Sequence, residues 1–124
     1  MTFVLLTEEL VDRIHDSVLN PGELSGRALD KSLDSALARV DNRLIYGMIE
    51  DVFDLAAAYA EAVARGHCFN DGNKRTAHQT MDVCLTLNGV EIEWPDTAVA
   101  DQIIRLARGE IDSHDLADWL RARA

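Results

Sequence analysis

The apolar residues of this chain recur at helical spacing over most of its length. Leu10, Ile14 and Val18 are four residues apart and predict a first helix with one buried face. Thr7 is its candidate N-cap, and two glutamates follow in the first turn, where the helix dipole favours acidic side chains. The run Asn20-Pro21-Gly22 predicts that this helix has ended by residue 20.

Two further helices are predicted before the middle of the chain. Ser25 is the candidate cap of the second helix, whose apolar stripe comprises Leu29, Leu33, Ala36, Leu37 and Val40. The longest periodic segment runs from about Leu44 to Ala64 and is rich in alanine, which has high helix propensity and lets neighbouring helices approach closely. We therefore expect this segment to be the central helix of a bundle, with Gly66 at its end.

The second half of the chain predicts three more helices and one extended segment. A helix is expected from about Asn73 to Asn88, and the alternation over residues 90–94 is typical of a short strand. Pro95-Asp96 opens the next helix, which Gly109 ends, and Ser113 caps the last one. The prediction is an all-α fold, a compact single-domain helical bundle of about six helices with the strand as an ornament.

The composition agrees with one globular domain over residues 1–124. Hydrophobic residues make up 48% of the chain, which is enough for a single core. The formal net charge of −10 argues against direct binding to nucleic acid or to an anionic membrane, because both need a basic surface. The N-terminal residues lack the basic region of a signal peptide, and no apolar run approaches the roughly 20 residues of a membrane span, so neither is expected. Cys68 and Cys84 lack metal or dithiol spacing and are expected to be reduced thiols of a cytoplasmic protein.

A dense cluster of polar and basic residues follows the predicted central helix. Its sequence is Arg65-Gly66-His67-Cys68-Phe69-Asn70-Asp71-Gly72-Asn73-Lys74-Arg75-Thr76-Ala77. Gly72 allows a sharp turn, after which the next helix begins. The first backbone N–H groups of that helix lack intrahelical acceptors, and Lys74 and Arg75 add two positive charges to them. This combination predicts an anion site, with phosphate as the obvious ligand.

Two further side chains of this stretch suit phosphate chemistry. Asp71 precedes the anion site, and Mg²⁺ commonly binds one or two carboxylates together with phosphate oxygens. His67 lies four residues before Asp71 and is a candidate general base at neutral pH. Each residue alone is also compatible with a capped, solvated loop that carries an incidental histidine. The set taken together favours a catalytic site.

The stretch from His67 to Arg75 resembles the signature of the Fic/Doc superfamily, H-x-F-x-[D/E]-x-N-[G/K]-R. The version Asn73-Lys74-Arg75-Thr76-Ala77 is similar to the death-on-curing (Doc) branch, the toxins of toxin–antitoxin modules. The likeness extends to the chain length, the leading Arg65-Gly66, the small-residue helix before the loop and Asn88-Gly89-Val90 after it. It implies the Fic fold and transfer of part of a nucleoside triphosphate to a hydroxyl of a target protein.

The resemblance also implies roles for individual residues. His67 would be the general base, and Asp71 would hold Mg²⁺ or orient that base. Arg65 is a candidate contact to the target or a support behind the site. The phosphates of the co-substrate ATP would be bound by Gly72, Asn73, Lys74 and Arg75.

Two positions bear on the type of reaction. Most Fic members, which transfer AMP, carry glycine where this chain has Lys74, and often arginine where it has His78. The Doc branch shares the lysine, lacks that arginine and transfers the γ-phosphoryl group, with a threonine of elongation factor Tu as its known target. The resemblance thus implies a type II toxin with serine/threonine kinase activity that arrests translation. AMP transfer, a catalytically silent antitoxin-binding module and a ribonuclease toxin are the alternatives.

A partner and a location follow from the same resemblance. The chain has no match to the inhibitory pattern [S/T]-x-x-x-E-[G/N] of self-silenced Fic proteins, so an inhibitor in trans is expected. It would resemble the Phd antitoxins, whose flexible C-terminal tail folds on the toxin and would bury apolar surface. A toxin of this kind would act in the bacterial cytoplasm.

Overall fold

A computed structural model describes residues 2–93 and 95–124, and these residues fold into one bundle of six helices. The helices are α1 (Glu8–Val18), α2 (Leu33–Ile45), α3 (Val52–Gly66), α4 (Asn73–Leu87), α5 (Asp96–Ala107) and α6 (Ser113–Arg121). The predicted all-α fold and the predicted number of helices are confirmed. Within the described ranges, no helix has both the length and the apolar character needed to cross a bilayer.

The central helix of the bundle is α3, as its alanine content predicted. Every residue from Leu55 to Ala64 is buried, so the helix contacts neighbours on all of its sides. Its small side chains let α2, α4, α5 and α6 pack directly against it. The N-terminal segment is tied to this core because Leu6 N–H donates a 3.0 Å hydrogen bond to the hydroxyl of the buried Tyr59.

The segment between α1 and α2 returns along the loop that joins α3 to α4. Ala28 N–H donates to Cys68 O over 2.8 Å, and Asn70 N–H donates to Gly26 O over 3.2 Å. Arg27, which lies between these two bonds, forms ion pairs with acidic side chains of α1. Helix α1 itself packs against α4. The motif loop is therefore covered on one side by α1 and by the segment that follows it.

The start of α2 differs from the prediction. Its N-cap is Ser32, whose hydroxyl accepts a 3.1 Å hydrogen bond from Ser35 N–H, and the assignment of this cap to Ser25 was wrong. Leu29, which was expected in the buried stripe, is fully exposed. The reason is that residues 25–28 form hydrogen bonds to the motif loop, and a helical repeat in the sequence does not reveal such long-range bonds.

The segment predicted as one helix from Leu44 to Ala64 is divided between α2 and α3. Gly47 has a φ of +71°, which interrupts the helical backbone. Asp51 then caps α3, because its carboxylate accepts a 2.9 Å hydrogen bond from Asp54 N–H. The apolar spacing continues across this interruption, so periodicity alone did not expose it.

Two details of the second half also differ from the prediction. The N-cap of α6 is Asp112 rather than Ser113, and Asp112 forms a reciprocal capping box with Asp115. Residues 90–93 form no strand, and Trp94, the last residue of the predicted strand, lies outside the described residues. The predicted opening of α5 at Pro95-Asp96 is confirmed.

Candidate active site

His67 follows the last residue of α3 in a left-handed backbone conformation, with φ of 49° and ψ of 39°. It is the one non-glycine residue with positive φ among those that the structure describes. Such a conformation costs a residue with a β-carbon roughly 1–2 kcal/mol, so glycine or asparagine would be the usual choice. The use of an exposed histidine at this position indicates a functional need for its side chain.

The residues on either side of His67 are tightly packed. A β-carbon at Gly66 would lie 2.9 Å from Cys68 Sγ and 3.6 Å from the β-carbon of Ala36. Cys68 is buried, and this burial raises the pKa of its thiol, so the thiol is poorly reactive despite its place in the motif. The turn that presents His67 therefore requires glycine before it and a small buried side chain after it.

The side chain of Asn73 closes the loop between His67 and α4. Its Oδ1 accepts a 3.1 Å hydrogen bond from Phe69 N–H, and its Nδ2 donates a 2.9 Å hydrogen bond to Phe69 O. The Phe69 ring is buried and anchors the loop in the core. The sequence predicted a phosphate contact for Asn73, and the structure adds that its amide organises the loop backbone.

The N-terminus of α4 has no side-chain cap. Its N-cap is Gly72, with φ of 76°, and Thr76 N–H donates to Gly72 O over 2.9 Å. The N–H groups of Asn73, Lys74 and Arg75 precede that first helical bond and carry the positive end of the helix dipole. No acidic residue lies in the first turn to neutralise them, which favours an external anion.

A cavity of about 290 Å³ lies at the junction of α3 and α4. It is lined by Ala64, His67, Asn70, Asp71, Gly72, Asn73, Lys74 and Arg75. Lys74 is exposed, and among the described residues no carboxylate pairs with its ammonium group. The structure thus brings the predicted base, the predicted carboxylate and the predicted anion site together around one cavity.

The Asp71 carboxylate is oriented by a backbone donor. Its Oδ2 accepts a 2.8 Å hydrogen bond from Leu24 N–H, and Oδ1 is available to a ligand. No group of three His, Cys, Asp or Glu side chains that could hold a metal occurs in the part of the chain that the structure describes. A magnesium ion at Asp71 would therefore need oxygens from its ligand, which is its usual coordination with nucleotide phosphates.

The Arg75 guanidinium is held on the side of the loop that faces α1. Its Nε donates to Val18 O over 3.1 Å, and one Nη donates to Glu23 Oε1. The same Glu23 oxygen accepts a 2.6 Å hydrogen bond from Asn20 N–H. These donors lower the pKa of Glu23, and the Arg75 hydrogen bond has the largest effect. A β-carbon on Gly72 would lie 3.3 Å from the guanidinium, so glycine there lets Arg75 approach the turn.

His15 lies beneath the motif loop, although the sequence pattern gave no sign of it. Its side chain is only 1% exposed, and its ring stacks on the ring of Phe69. Its Nε2 donates a 2.7 Å hydrogen bond to Asp71 O, because a carbonyl oxygen can only accept. His15 therefore supports both the anchor of the loop and the backbone of Asp71.

Arg65 faces away from this cavity. Its guanidinium donates to Leu106 O over 3.0 Å and to Ile111 O over 2.6 Å, which fastens α3 to the end of α5 and the loop before α6.

A second cavity, of about 350 Å³, is lined in part by Arg43, Glu61 and Arg65. Glu61 Oε2 lies 3.5 Å from Nη1 of Arg65, and Glu61 Oε1 lies 2.6 Å from Nη2 of Arg43. Within that cavity Glu61 is paired with both arginines, and the Asp54 carboxylate is paired with Arg121. The smaller cavity combines a histidine with a bare helix N-terminus, so we assign the chemistry to it.

Three residues near the motif were not identified from the sequence as parts of the site. Glu23 contacts Arg75, which is 52 residues away, and His15 contacts Asp71, which is 56 residues away. Leu24 contributes through its backbone, for which a side-chain motif holds no signal.

The sequence of this chain is similar to those of known proteins. The sequence model of the Fic/DOC family matches residues 5–85, which include α1, the segment over the loop and the whole motif. The chain is 38% identical over 115 residues to "Protein kinase doc" of Escherichia phage P1, a match that covers 92% of this chain and 90% of that protein. It is 40% identical over 62 residues to "Toxin Doc" of Mycolicibacterium smegmatis, over 48% of this chain and 47% of that protein.

Proposed function

Because the chain belongs to the Fic/DOC family, we propose that this Fic-type enzyme is the toxin of a toxin–antitoxin module and a protein kinase. Its reaction would transfer the γ-phosphoryl group of ATP to a serine or threonine hydroxyl of a translation factor, elongation factor Tu being the first candidate. The observation that carries the proposal is the convergence of His67, Asp71, Lys74 and the uncapped N-terminus of α4 on one cavity. The names of both relatives support it.

His67 is the proposed general base. It would accept the proton of the target hydroxyl while the hydroxyl oxygen forms a bond to the γ-phosphorus. The bond from the γ-phosphorus to the bridging oxygen breaks, and ADP leaves. Little covalent chemistry is required of the protein, so positioning and charge neutralisation supply most of the rate enhancement. A short loop that offers one base and several anion-binding groups suits this reaction.

The phosphates would bind the N–H groups at the start of α4, the Lys74 ammonium and the N–H groups of Arg75 that Val18 and Glu23 do not use. Asp71 Oδ1, with phosphate oxygens, suits a magnesium ion, which would neutralise charge on the transferred group. Lys74 favours phosphoryl transfer over AMP transfer, because its side chain takes space that glycine would leave to a phosphate at the same helix terminus.

Label transfer from ATP tests the reaction. The protein would be incubated with purified elongation factor Tu, with a bacterial lysate, and with Mg·ATP labelled at either the α- or the γ-phosphate. Label transferred to protein from the γ position alone is the expected result. Transfer from the α position alone would replace the kinase with an AMP transferase. Absence of transfer from both positions, in a lysate as well as with the purified factor, would replace the enzyme with an antitoxin-binding module.

An antitoxin partner is the second part of the proposal. Ile45, the last residue of α2, and Tyr46 and Met48, which follow it, are exposed large apolar side chains close together in the chain. The folded tail of a Phd-like antitoxin would cover such a surface. Tyr46→Ser is expected to weaken the complex in calorimetry. Leu87→Ser, which changes an exposed apolar residue on α4, is the matched control. Equal affinities of the two variants would place the antitoxin elsewhere.

A further inference from the structure

The turn formed by residues 20–24 is fastened to the motif loop through two adjacent residues. Glu23 accepts a hydrogen bond from the Arg75 guanidinium, and Leu24 N–H donates to Asp71 Oδ2 over 2.8 Å. The guanidinium is also bonded to a backbone carbonyl at the end of α1, just before the turn. One short segment outside the motif thus contacts both Arg75 and Asp71, which carry opposite charges.

The turn is built so that it presents the Glu23 carboxylate. Glu23 N–H donates to Asn20 O over 3.1 Å, and Asn20 N–H donates to Glu23 Oε1 over 2.6 Å. Pro21 and Gly22 occupy the two central positions, and Gly22 has a φ of 86°, as a type II turn requires. The side chain of Glu23 is only 25% exposed. The carboxylate is therefore preorganised for Arg75 by its own backbone.

Glu23 does not occupy the anion site. It is absent from the lining of the cavity, which comes from Ala64, His67 and residues 70–75. Its Oε1 meets one Nη of Arg75, while Nε of the same guanidinium is bonded to Val18 O. The remaining N–H groups of Arg75 are left for a ligand. A carboxylate in this arrangement holds the arginine in place without excluding a phosphate.

We propose that Glu23 is a positioning residue of the site. Through Arg75, and through the turn that places Leu24 N–H, it holds the guanidinium and the Asp71 carboxylate where they bind the phosphates of a nucleotide and its metal ion. This inference rests on the proposed function for the identity of the ligand. Nucleotide binding would then depend on Glu23, a residue that lies outside the motif.

The test compares Glu23→Gln with Glu9→Gln. Both changes remove one carboxylate charge from an ion pair, and Glu9 pairs with Arg13 on the exposed side of α1. One measurement is the hydrogen exchange of the Leu24 amide by NMR without nucleotide, and the other is the affinity for a non-hydrolysable ATP analogue with Mg²⁺ by calorimetry. Glu23→Gln should accelerate the exchange and weaken the affinity, each by roughly fivefold. Glu9→Gln should change neither.

Combining Glu23→Gln with Arg75→Ala shows whether Glu23 acts through Arg75. In Arg75→Ala, the effect of Glu23→Gln on nucleotide affinity should largely disappear. An unchanged affinity in Glu23→Gln, a tighter affinity, or an equal loss in the Arg75→Ala background would each overturn the proposal. Failure of the parent protein to bind nucleotide would overturn the proposed function. In that case the Leu24 exchange still decides separately whether Glu23 fastens the turn, and exchange as slow as in the parent would show that it does not.

Discussion

The ring of His15 lies nearly parallel to the ring of Phe69, with centroids 4.0 Å apart and an angle of 8° between the planes. The same imidazole donates a hydrogen bond to the backbone oxygen of Asp71. One buried residue of α1 therefore supports the aromatic anchor of the motif loop and the backbone of the proposed metal ligand. The shape of the loop depends on a helix that lies about fifty residues earlier in the chain.

Replacing His15 separates these two contributions. His15→Phe keeps a stacking partner for Phe69 but leaves Asp71 O without its donor. We expect a loss of about 1–2 kcal/mol in the free energy of unfolding, measured by urea denaturation, and a lower rate of transfer. His114→Phe is the control, because the His114 side chain is 78% exposed and its replacement should change stability by less than about 0.5 kcal/mol. Equal stabilities would show that the bond to Asp71 contributes nothing net.

The left-handed backbone of His67 allows a clean test of the base. Asparagine tolerates this conformation well, so His67→Asn should fold like the parent protein. Loss of a general base typically slows a reaction by roughly 10²–10⁴-fold. We therefore expect phosphoryl transfer to fall by about this factor, and growth arrest to disappear in cells that express the variant.

The control for that experiment is His114→Asn, which removes an exposed imidazole far from the motif in sequence and should preserve activity. Circular dichroism confirms that both variants are folded. A folded His67→Asn protein that still arrests growth would show that another group accepts the proton.

Asn73→Asp tests the closure of the loop. The change keeps the acceptor for Phe69 N–H but replaces the Nδ2 donor with an oxygen that faces Phe69 O. We expect the free energy of unfolding to fall by about 1–3 kcal/mol, measured by thermal or urea unfolding, and phosphoryl transfer to be slower. Gln79→Glu makes the same change of charge at an exposed site on the same helix. If both variants lose equal stability, charge rather than the loop bond explains the effect.

The parts of the site that are contiguous in sequence could be predicted, because one turn and one helix terminus position them. Gly72 allows the turn, α4 starts at Asn73, and the first N–H groups of a helix are free wherever no cap is present. The contributions of His15 and Glu23 could not be predicted, since they depend on how α1 packs on α4 and on the course of the segment after α1. Helical spacing placed Leu29 in a buried stripe. It is exposed because the segment that contains it follows the motif loop instead of forming a helix.

Stability in acid should depend on Asp51. Arg121 donates hydrogen bonds of 2.7 and 2.9 Å to its carboxylate, and these bonds, more than any other cause, lower the pKa of Asp51 from its ordinary value. A carboxyl with a lowered folded-state pKa stabilises the protein above its unfolded-state pKa, and the stabilisation is lost as the pH falls through the folded-state pKa. We expect the free energy of unfolding to decrease below about pH 4, and Asp51→Asn to reduce this dependence.

Asp101→Asn is the matched control for the pH experiment, because Asp101 is exposed on α5. Urea denaturation would be measured at several values between about pH 3 and pH 6 for the parent and both variants. If Asp51→Asn keeps the full acid dependence of the parent, the pair with Arg121 does not contribute to it.

The thiol of Cys84 reports on opening of the bundle around α4. The residue is fully buried, and desolvation raises its pKa to about 12. Only the thiolate attacks a disulfide reagent, so the folded protein should react very slowly at about pH 8, while an exposed Ala100→Cys variant should react at once. Because a ligand that binds only the folded state lowers the population of the open state, Mg²⁺ with an ATP analogue should slow the labelling of Cys84 further. Rapid labelling of Cys84 in the absence of denaturant would contradict the buried position of this thiol.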